Sequence, residues 1–235
     1  MRTGEFFDKV DQLFHDWKYD HPRILYSLIR ALKPIVAVEV GTFRGYAAAW
    51  MAQGLRENKI GVLYCIDDFS EGIQKKYDEH HWEYNLTQLE VFNHVKLLKG
   101  KSKEVNWPKT VDFAYIDGWH SFETVEHDFL KASSSGAKCI CLDDTKTTIG
   151  PSMLVQKILA HEYPYWTVTE IFSDCGLAIC TRVSDVRPVV NFSQELDTGT
   201  VMTDWDLDKR LEHLFQATSK NDISYIGFDF GWDNL

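Results

Sequence analysis

Ile35-Val-Ala-Val-Glu39-Val-Gly41-Thr42-Phe-Arg-Gly45 is the stretch that decides the fold. Residues 35–39 are apolar and partly β-branched up to the closing acid, the composition of a parallel strand buried on both faces. Gly41 and Gly45 bracket a tight turn, and Tyr46-Ala-Ala-Ala-Trp-Met-Ala-Gln-Gly-Leu55 opens a segment of high helix propensity. Strand, glycine turn and helix N-terminus together make a ligand-binding corner. Glycine admits a ligand close to the backbone, and the carboxyl end of the strand opens a crevice.

The glycine spacing narrows the ligand. A dinucleotide fingerprint would read Gly-x-Gly-x-x-Gly, with amides aimed at a pyrophosphate. Here the order is Glu39-x-Gly41-x-x-x-Gly45, with an acid just before the turn. A carboxylate there repels phosphate and suits a cation. S-adenosylmethionine carries a sulfonium and an ammonium and has no phosphate. The stretch resembles motif I of the class I S-adenosylmethionine-dependent methyltransferases. The alternative is a glycine-tightened strand–helix turn with no ligand.

Composition sets the outer limits. The chain has 235 residues, 44% hydrophobic and 14% aromatic, enough for one α/β domain with a full core. A net charge of −10 argues against a nucleic-acid backbone as partner. No apolar run approaches the roughly 18 residues of a membrane span, and the charged residues of Met1-Arg-Thr-Gly-Glu-Phe-Phe-Asp-Lys9 stand where a signal peptide needs an apolar core. The five cysteines, Cys65, Cys139, Cys141, Cys175 and Cys180, fall in or near expected strands. An odd count there reads as reduced thiols in a cytoplasmic compartment. Cys139 and Cys141 share one strand face, which reads as small-residue packing ahead of a metal pair.

Around the corner the pattern predicts a doubly wound, mostly parallel seven-stranded sheet with helices on both faces and an antiparallel final strand. An N-terminal helical cap, residues 1–34, carries a stripe over 4–19 and a second helix over 23–33 that starts after Pro22. The binding domain spans 35–183. Its second strand, from Gly61, ends in Asp67-Asp68. In nucleoside-binding α/β folds a carboxylate about 20–30 residues past the glycine turn accepts ribose hydroxyls, and Asp67 lies 26 residues after Gly41.

Residues 70–94 suggest a helix capped by Ser70 and another over 82–94. Asp78-Glu79-His80-His81-Trp82 reads as a solvated loop or lid ahead of a metal cluster, because adjacent helical histidines point apart. Strands follow at 95–99, 111–117 and 136–142, helices from Ser121 and over 149–161, and a closing antiparallel hairpin at 165–172 and 176–182. Residues 184–235 read as an appendage serving as lid, packing element or oligomer contact, with aromatics that suit self-association.

Three strand ends bring acids to one edge of the sheet: Asp67, Asp117 and the pair Asp143-Asp144. Carboxylates brought together repel unless a cation sits among them, and a hard divalent ion such as Mg²⁺ suits oxygen ligands. The alternative is that each acid caps its own turn. The set Asp117-Gly-Trp-His120, followed 26 residues after Asp117 by Asp143-Asp144, resembles the metal-dependent small-molecule O-methyltransferases. These comprise catechol-type enzymes and those that methylate sugar hydroxyls of macrolides and related natural products. The Asp-Gly-x-His form is closer to the sugar branch, and the similarity covers about residues 35–183.

The resemblance implies Mg²⁺ held by Asp117, Asp143 and Asp144. Catechol-type enzymes have asparagine where Asp144 stands, so the extra charge bears on metal affinity. It implies a cofactor site of Glu39, Gly41, Thr42, Gly45, Asp67, Ser102 and Asp117, with Ser102 near adenine and Lys101 departing from the usual acid there. It also implies His120 as the base that takes a proton from a small hydroxylated acceptor. Two other readings stay open. Similar sequences include hydroxylases of antibiotic pathways, and a binding module without catalysis would use the same scaffold.

Overall fold

The apolar run after Pro34 forms strand β1 (Val36–Val40), and the chain leaves the sheet at Gly41. The computed structural model describes residues 3–15, 21–70, 77–171 and 175–183; the expected appendage at 184–235 and the expected helix beginning after Ser70 lie outside them or reach beyond them. Strands β2 (Val62–Asp67), β3 (Val95–Lys99), β4 (Phe113–Ile116), β5 (Cys139–Leu142), β6 (Trp166–Ile171) and β7 (Leu177–Arg182) complete one seven-stranded sheet. Its order is β3-β2-β1-β4-β5-β7-β6. The strands from β3 to β5 pair in parallel, and β7 runs antiparallel to both β5 and β6. The doubly wound sheet and its closing antiparallel hairpin are as expected.

Helices α1 (Thr3–Leu13), α2 (His21–Leu32), α3 (Tyr46–Asn58) and α4 (Glu79–Gln88) pack through one apolar cluster, and α5 (Phe122–Ser134) and α6 (Ile149–Leu159) through another. Alternation along the strands feeds both: Phe113 and Tyr115 of β4 enter the first cluster, Ala114 and Ile116 the second. β1 and β4 are neighbours, yet the chain visits β2 and β3 between them. Their carboxyl ends therefore form a topological switch point, where crevices open in such sheets.

The N-terminal helices are part of this core. Phe6 of α1 is fully buried edge-on against Trp50 of α3, with centroids 5.6 Å apart and planes at 88°. Burying a side chain of that size contributes about 1.5–3 kcal/mol. On α2, the Tyr26 hydroxyl donates to Glu57 at 2.6 Å and Arg30 pairs with the same carboxylate at 3.3 Å. α2 is thereby fixed along α3.

The crossover before β3 differs from expectation. Asp78 accepts hydrogen bonds from the backbone N–H of His80 (3.1 Å) and His81 (3.3 Å), and the His81 ring reaches back to it. This capping box makes Glu79 the start of α4, so the His-rich stretch is a helical first turn and not a loop. The helix stops at Gln88 because Glu90 takes a left-handed φ of 58°, and Phe92–His94 form a separate 3₁₀ turn. Among the described residues, no cluster of three or more metal-ligating side chains includes His80 or His81. All five cysteines are free thiols, with Cys139 and Cys141 in the core.

Candidate active site

Gly41 and Gly45 both adopt left-handed backbone, at φ 86° and 85°, and Phe43 between them sits at φ 48°. This conformation costs a side-chain-bearing residue energy and glycine almost none. A Cβ on Gly41 would lie 2.6 Å from the Asp117 carbonyl carbon and 2.8 Å from the Gly118 Cα, and closer still to the carbonyl oxygen. The corner thus lies directly against the end of β4.

Asp67 holds the turn in place. Its two carboxylate oxygens accept the N–H groups of Phe43 and Phe69, each at 2.8 Å, and Phe69 is itself left-handed at φ 53°. Burial raises the Asp67 pKa, and these two N–H bonds oppose the rise. Each oxygen keeps a second lone pair, the capacity a ribose hydroxyl would need. Thr42 is buried, and its hydroxyl accepts the Trp82 indole N–H at 2.9 Å, which ties α4 to the corner.

Glu39 is fully buried on the α3 side of β1, and neither carboxylate oxygen has a well-formed hydrogen bond. Burial pushes its pKa up to about 7, with Thr42 and Cys65 beside it opposing the rise. Such an orphan carboxylate fits a cationic group of a ligand. It also predicts a pH dependence. Below about 4.5 the group is protonated whether folded or unfolded; between 4.5 and 7 the unfolded chain releases the proton first, so stability falls as pH rises. Denaturant unfolding at pH 5 and pH 8 should show a Glu39-dependent loss of about 2.5 kcal/mol, at roughly 1.4 kcal/mol per unit. That component should vanish in Glu39→Gln, and equal pH dependence in both proteins would refute it.

The expected acids meet at the switch point with their roles divided. Among the described residues, one group of three ligating side chains converges: Asp117, His120 and Asp144, whose ligand atoms all lie within 4.8 Å of one another. His120 Nε2 stands 3.6 Å from Asp117 Oδ1 and 3.4 Å from Asp144 Oδ2. It is buried and makes no regular hydrogen bond. Burial and the neighbouring Asp143 charge push Asp117 up to about 8. The hydrogen-bonding pull of Asp117 raises His120, against burial and with further help from the surrounding charges.

Asp143 faces inward. Its Oδ1 accepts from His21 Nδ1 at 2.6 Å and its Oδ2 from the Tyr115 hydroxyl at 2.9 Å. The same hydroxyl lies 3.2 Å from Asp117 Oδ2. Asp144 turns outward through a left-handed φ of 56°, and the Thr147 hydroxyl donates to its Oδ1 at 2.9 Å. The two carboxylates of Asp117 and Asp144 fit Mg²⁺, which is commonly held by one or two carboxylates with water completing its shell. His120 Nε2, flanked by the two acids without a well-formed hydrogen bond to either, keeps the capacity to bind a further group.

Ser102 is separate from this cluster, past β1 and β2 at the β3 edge of the sheet. It is buried, its hydroxyl beside Asp128, and its carbonyl accepts the Trp107 indole N–H at 2.9 Å. His21 and Tyr115 do not figure in the residue set expected from sequence. Period-two alternation puts Tyr115 on the face of Asp117, so it was findable. His21 carries no local signal, since only the tertiary docking of α2 brings it to β5.

Comparison with known proteins agrees with this architecture. Residues 38–138 match the family model of a methyltransferase domain. The O-methyltransferase TomG from Streptomyces achromogenes, involved in tomaymycin synthesis and solved with S-adenosylmethionine, superposes with a TM-score of 0.59 at 16% identity, over 77% of this chain and 90% of its own. An O-methyltransferase from Bacillus cereus, solved with S-adenosylhomocysteine, gives 0.57 at 16% identity over 78% and 93%. A methyltransferase from Geobacter sulfurreducens gives 0.55 at 15% over 77% and 89%. The fold is the Rossmann-like methyltransferase fold, as the motif I corner led us to expect.

Proposed function

We propose that the chain is an S-adenosylmethionine-dependent O-methyltransferase that modifies a hydroxyl of a small sugar or natural-product acceptor, assisted by Mg²⁺. The observation that carries this reading is one of adjacency. A glycine corner with an orphan buried carboxylate lies against the strand that ends in Asp117, beside an imidazole held between two acids.

In this reading Gly41 and Gly45 admit the cofactor, Glu39 faces its cationic amino-acid end, Asp67 holds the ribose, and Ser102 lies toward the adenine. S-adenosylmethionine, when bound, supplies an electrophilic methyl group and leaves as a neutral thioether. Mg²⁺ held by Asp117 and Asp144 would acidify the acceptor hydroxyl. His120 Nε2 takes the hydroxyl proton as the C–O bond forms. Its raised pKa comes mainly from Asp117, with further help from the charges of Asp144 and Asp143. A cation held by Asp117 and Asp144 would offset these charges and leave His120 available as a base. Holding the hydroxyl and methyl in line contributes several kcal/mol toward the barrier.

Calorimetric titration with S-adenosylmethionine, with Mg²⁺ and again with EDTA, tests the reading. Micromolar cofactor binding together with a Mg²⁺ heat that disappears in Asp144→Ala is the expected result. Absence of cofactor binding under every condition would withdraw the transferase reading in favour of a binding module.

A further inference from the structure

We propose that His21, from the N-terminal helix α2, is a positioning residue of this site: it anchors Asp143 in the interior and, through Tyr115, sets the Asp117 carboxylate. The inference rests on the reading of Asp117 and Asp144 as cation ligands. His21 lies outside the matched domain, residues 38–138, and is 122 positions from Asp143 in the chain.

The geometry is a continuous chain of contacts from His21 to Asp117. The His21 side chain is 1% exposed and its Nδ1 stands 2.6 Å from Asp143 Oδ1. A carboxylate only accepts, so Nδ1 carries the proton. Tyr115 then places one hydroxyl against two acids, 2.9 Å from Asp143 and 3.2 Å from Asp117. One hydroxyl has one hydrogen. How fully it serves Asp117 depends on how well Asp143 is served from the other side. With His21 present, Asp143 has two donors and stays turned into the α2 face. Without it, Asp143 is a buried acid short of a partner, and it draws the Tyr115 hydroxyl away from Asp117 or swings toward the pocket. Either movement changes the ligand set that the pocket presents. α2 is held along α3 by Tyr26 and Arg30 on Glu57, so the anchor stands on a rigid element.

Partners behind metal ligands typically govern affinity by about ten- to a hundredfold. Mn²⁺ binding followed by electron paramagnetic resonance is therefore expected to weaken by that amount in His21→Ala. His21→Asn keeps an N–H near the Nδ1 position and should recover most of the loss, which a general packing defect would not allow. Tyr115→Phe should weaken binding similarly while leaving the fold intact by circular dichroism.

A second readout does not involve the ion. The buried His21 N–H should give an exchange-protected proton resonance downfield of the amides, absent in His21→Ala and shifted in Asp117→Asn. Wild-type Mn²⁺ affinity in His21→Ala would overturn the proposal while leaving the cation site standing. If the wild type binds no Mn²⁺, the cation reading fails, and the proton resonance decides the relay by itself: a shift in Asp117→Asn supports it, and no shift overturns it.

Discussion

Asp117→Asn is expected to lower methyl transfer by about a hundredfold to a thousandfold and, in metal-free protein, to raise thermal stability at alkaline pH. Both effects come from one cause. The Asp117 carboxylate shares the end of β4 and β5 with Asp143 and Asp144, and burial together with Asp143 pushes its pKa up to about 8. The proton leaves an ordinary aspartate near 3.8. Below that value folded and unfolded chains both hold it and nothing is at stake. From there to about 8 the unfolded chain is ionised while the folded site resists, so the folded state loses stability as pH rises.

The side chain keeps 30% of its surface exposed, which calls for a discount on the full shift. A cost of about 2 kcal/mol is a fair expectation, and it corresponds to roughly 4–8 °C for a domain of this size. Asparagine keeps the shape and an acceptor for Tyr115 and removes the charge. Melting curves in EDTA should therefore diverge between pH 5 and pH 8.5, with the variant the more stable at the higher pH. Added Mg²⁺ should stabilise the wild type and not the variant, by the ordinary linkage of ligand to the folded state. On the proposed reading the loss of transfer comes from the missing ligand charge, worth several kcal/mol in the transition state, and is read as S-adenosylhomocysteine released with an acceptor that the wild type methylates. Identical pH profiles of stability would show that the carboxylate is not under strain, and undiminished turnover would remove Asp117 from the chemistry.

The parts of the molecule visible in the sequence are those fixed by local rules. The apolar run before Gly41, the two glycines and the alanine-rich start of α3 specify a strand, a left-handed turn and a helix without outside help, and all three form. The acids at strand ends were equally visible, because a parallel sheet places every carboxyl end on one edge. Asp143 and Asp144 were harder. Adjacent residues leave a strand on opposite sides, so a pair read as one ligand set divides. Asp143 continues the face of Cys139 and Cys141 into the α2 side, and Asp144 leaves the sheet at φ 56° to meet His120.

The histidine-rich start of α4 misled for another reason. Its apolar content is low, and the capping box that makes it helical depends on His81 acting as the reciprocal partner that Glu or Gln usually supplies. His21 shows where local reading ends. Its partner lies 122 residues away, and only the docking of two helices reveals it.

Gly41→Ala is expected to be the most damaging single-methyl change in the corner, costing more than about 3 kcal/mol and abolishing cofactor binding. Two penalties add. A left-handed backbone costs alanine roughly 1–2 kcal/mol that glycine does not incur, and the native φ is 86°. The new Cβ would also press on the Asp117 carbonyl group and on the Gly118 Cα, which are main chain and cannot rotate aside. Relief requires β1 and β4 to part at their ends, where the Asp117 N–H donates to the Val40 carbonyl at 2.8 Å, while on its other side β1 is held to β2 by the Gly41 N–H on the Ile66 carbonyl at 2.9 Å. Parting them would move Asp117 itself, so the damage extends from the glycine turn to the acid cluster.

Gly45→Ala is the control. Its φ is nearly the same, 85°, but its Cβ would meet side chains and no main chain, the edge of Trp82 at 3.0 Å and Leu86 at 3.4 Å. Its cost should combine a backbone penalty of about 1–2 kcal/mol with a small shift of the Trp82 ring, staying below that of Gly41→Ala, with weakened cofactor binding. Thermal unfolding and S-adenosylmethionine calorimetry on both variants distinguish the two glycines. Equal losses would mean that backbone conformation alone sets the requirement. A much larger loss at Gly41 would mean that the corner and the acid cluster are held in contact through this one position, and that a methyl group there separates the cofactor's seat from the residues that act on the acceptor.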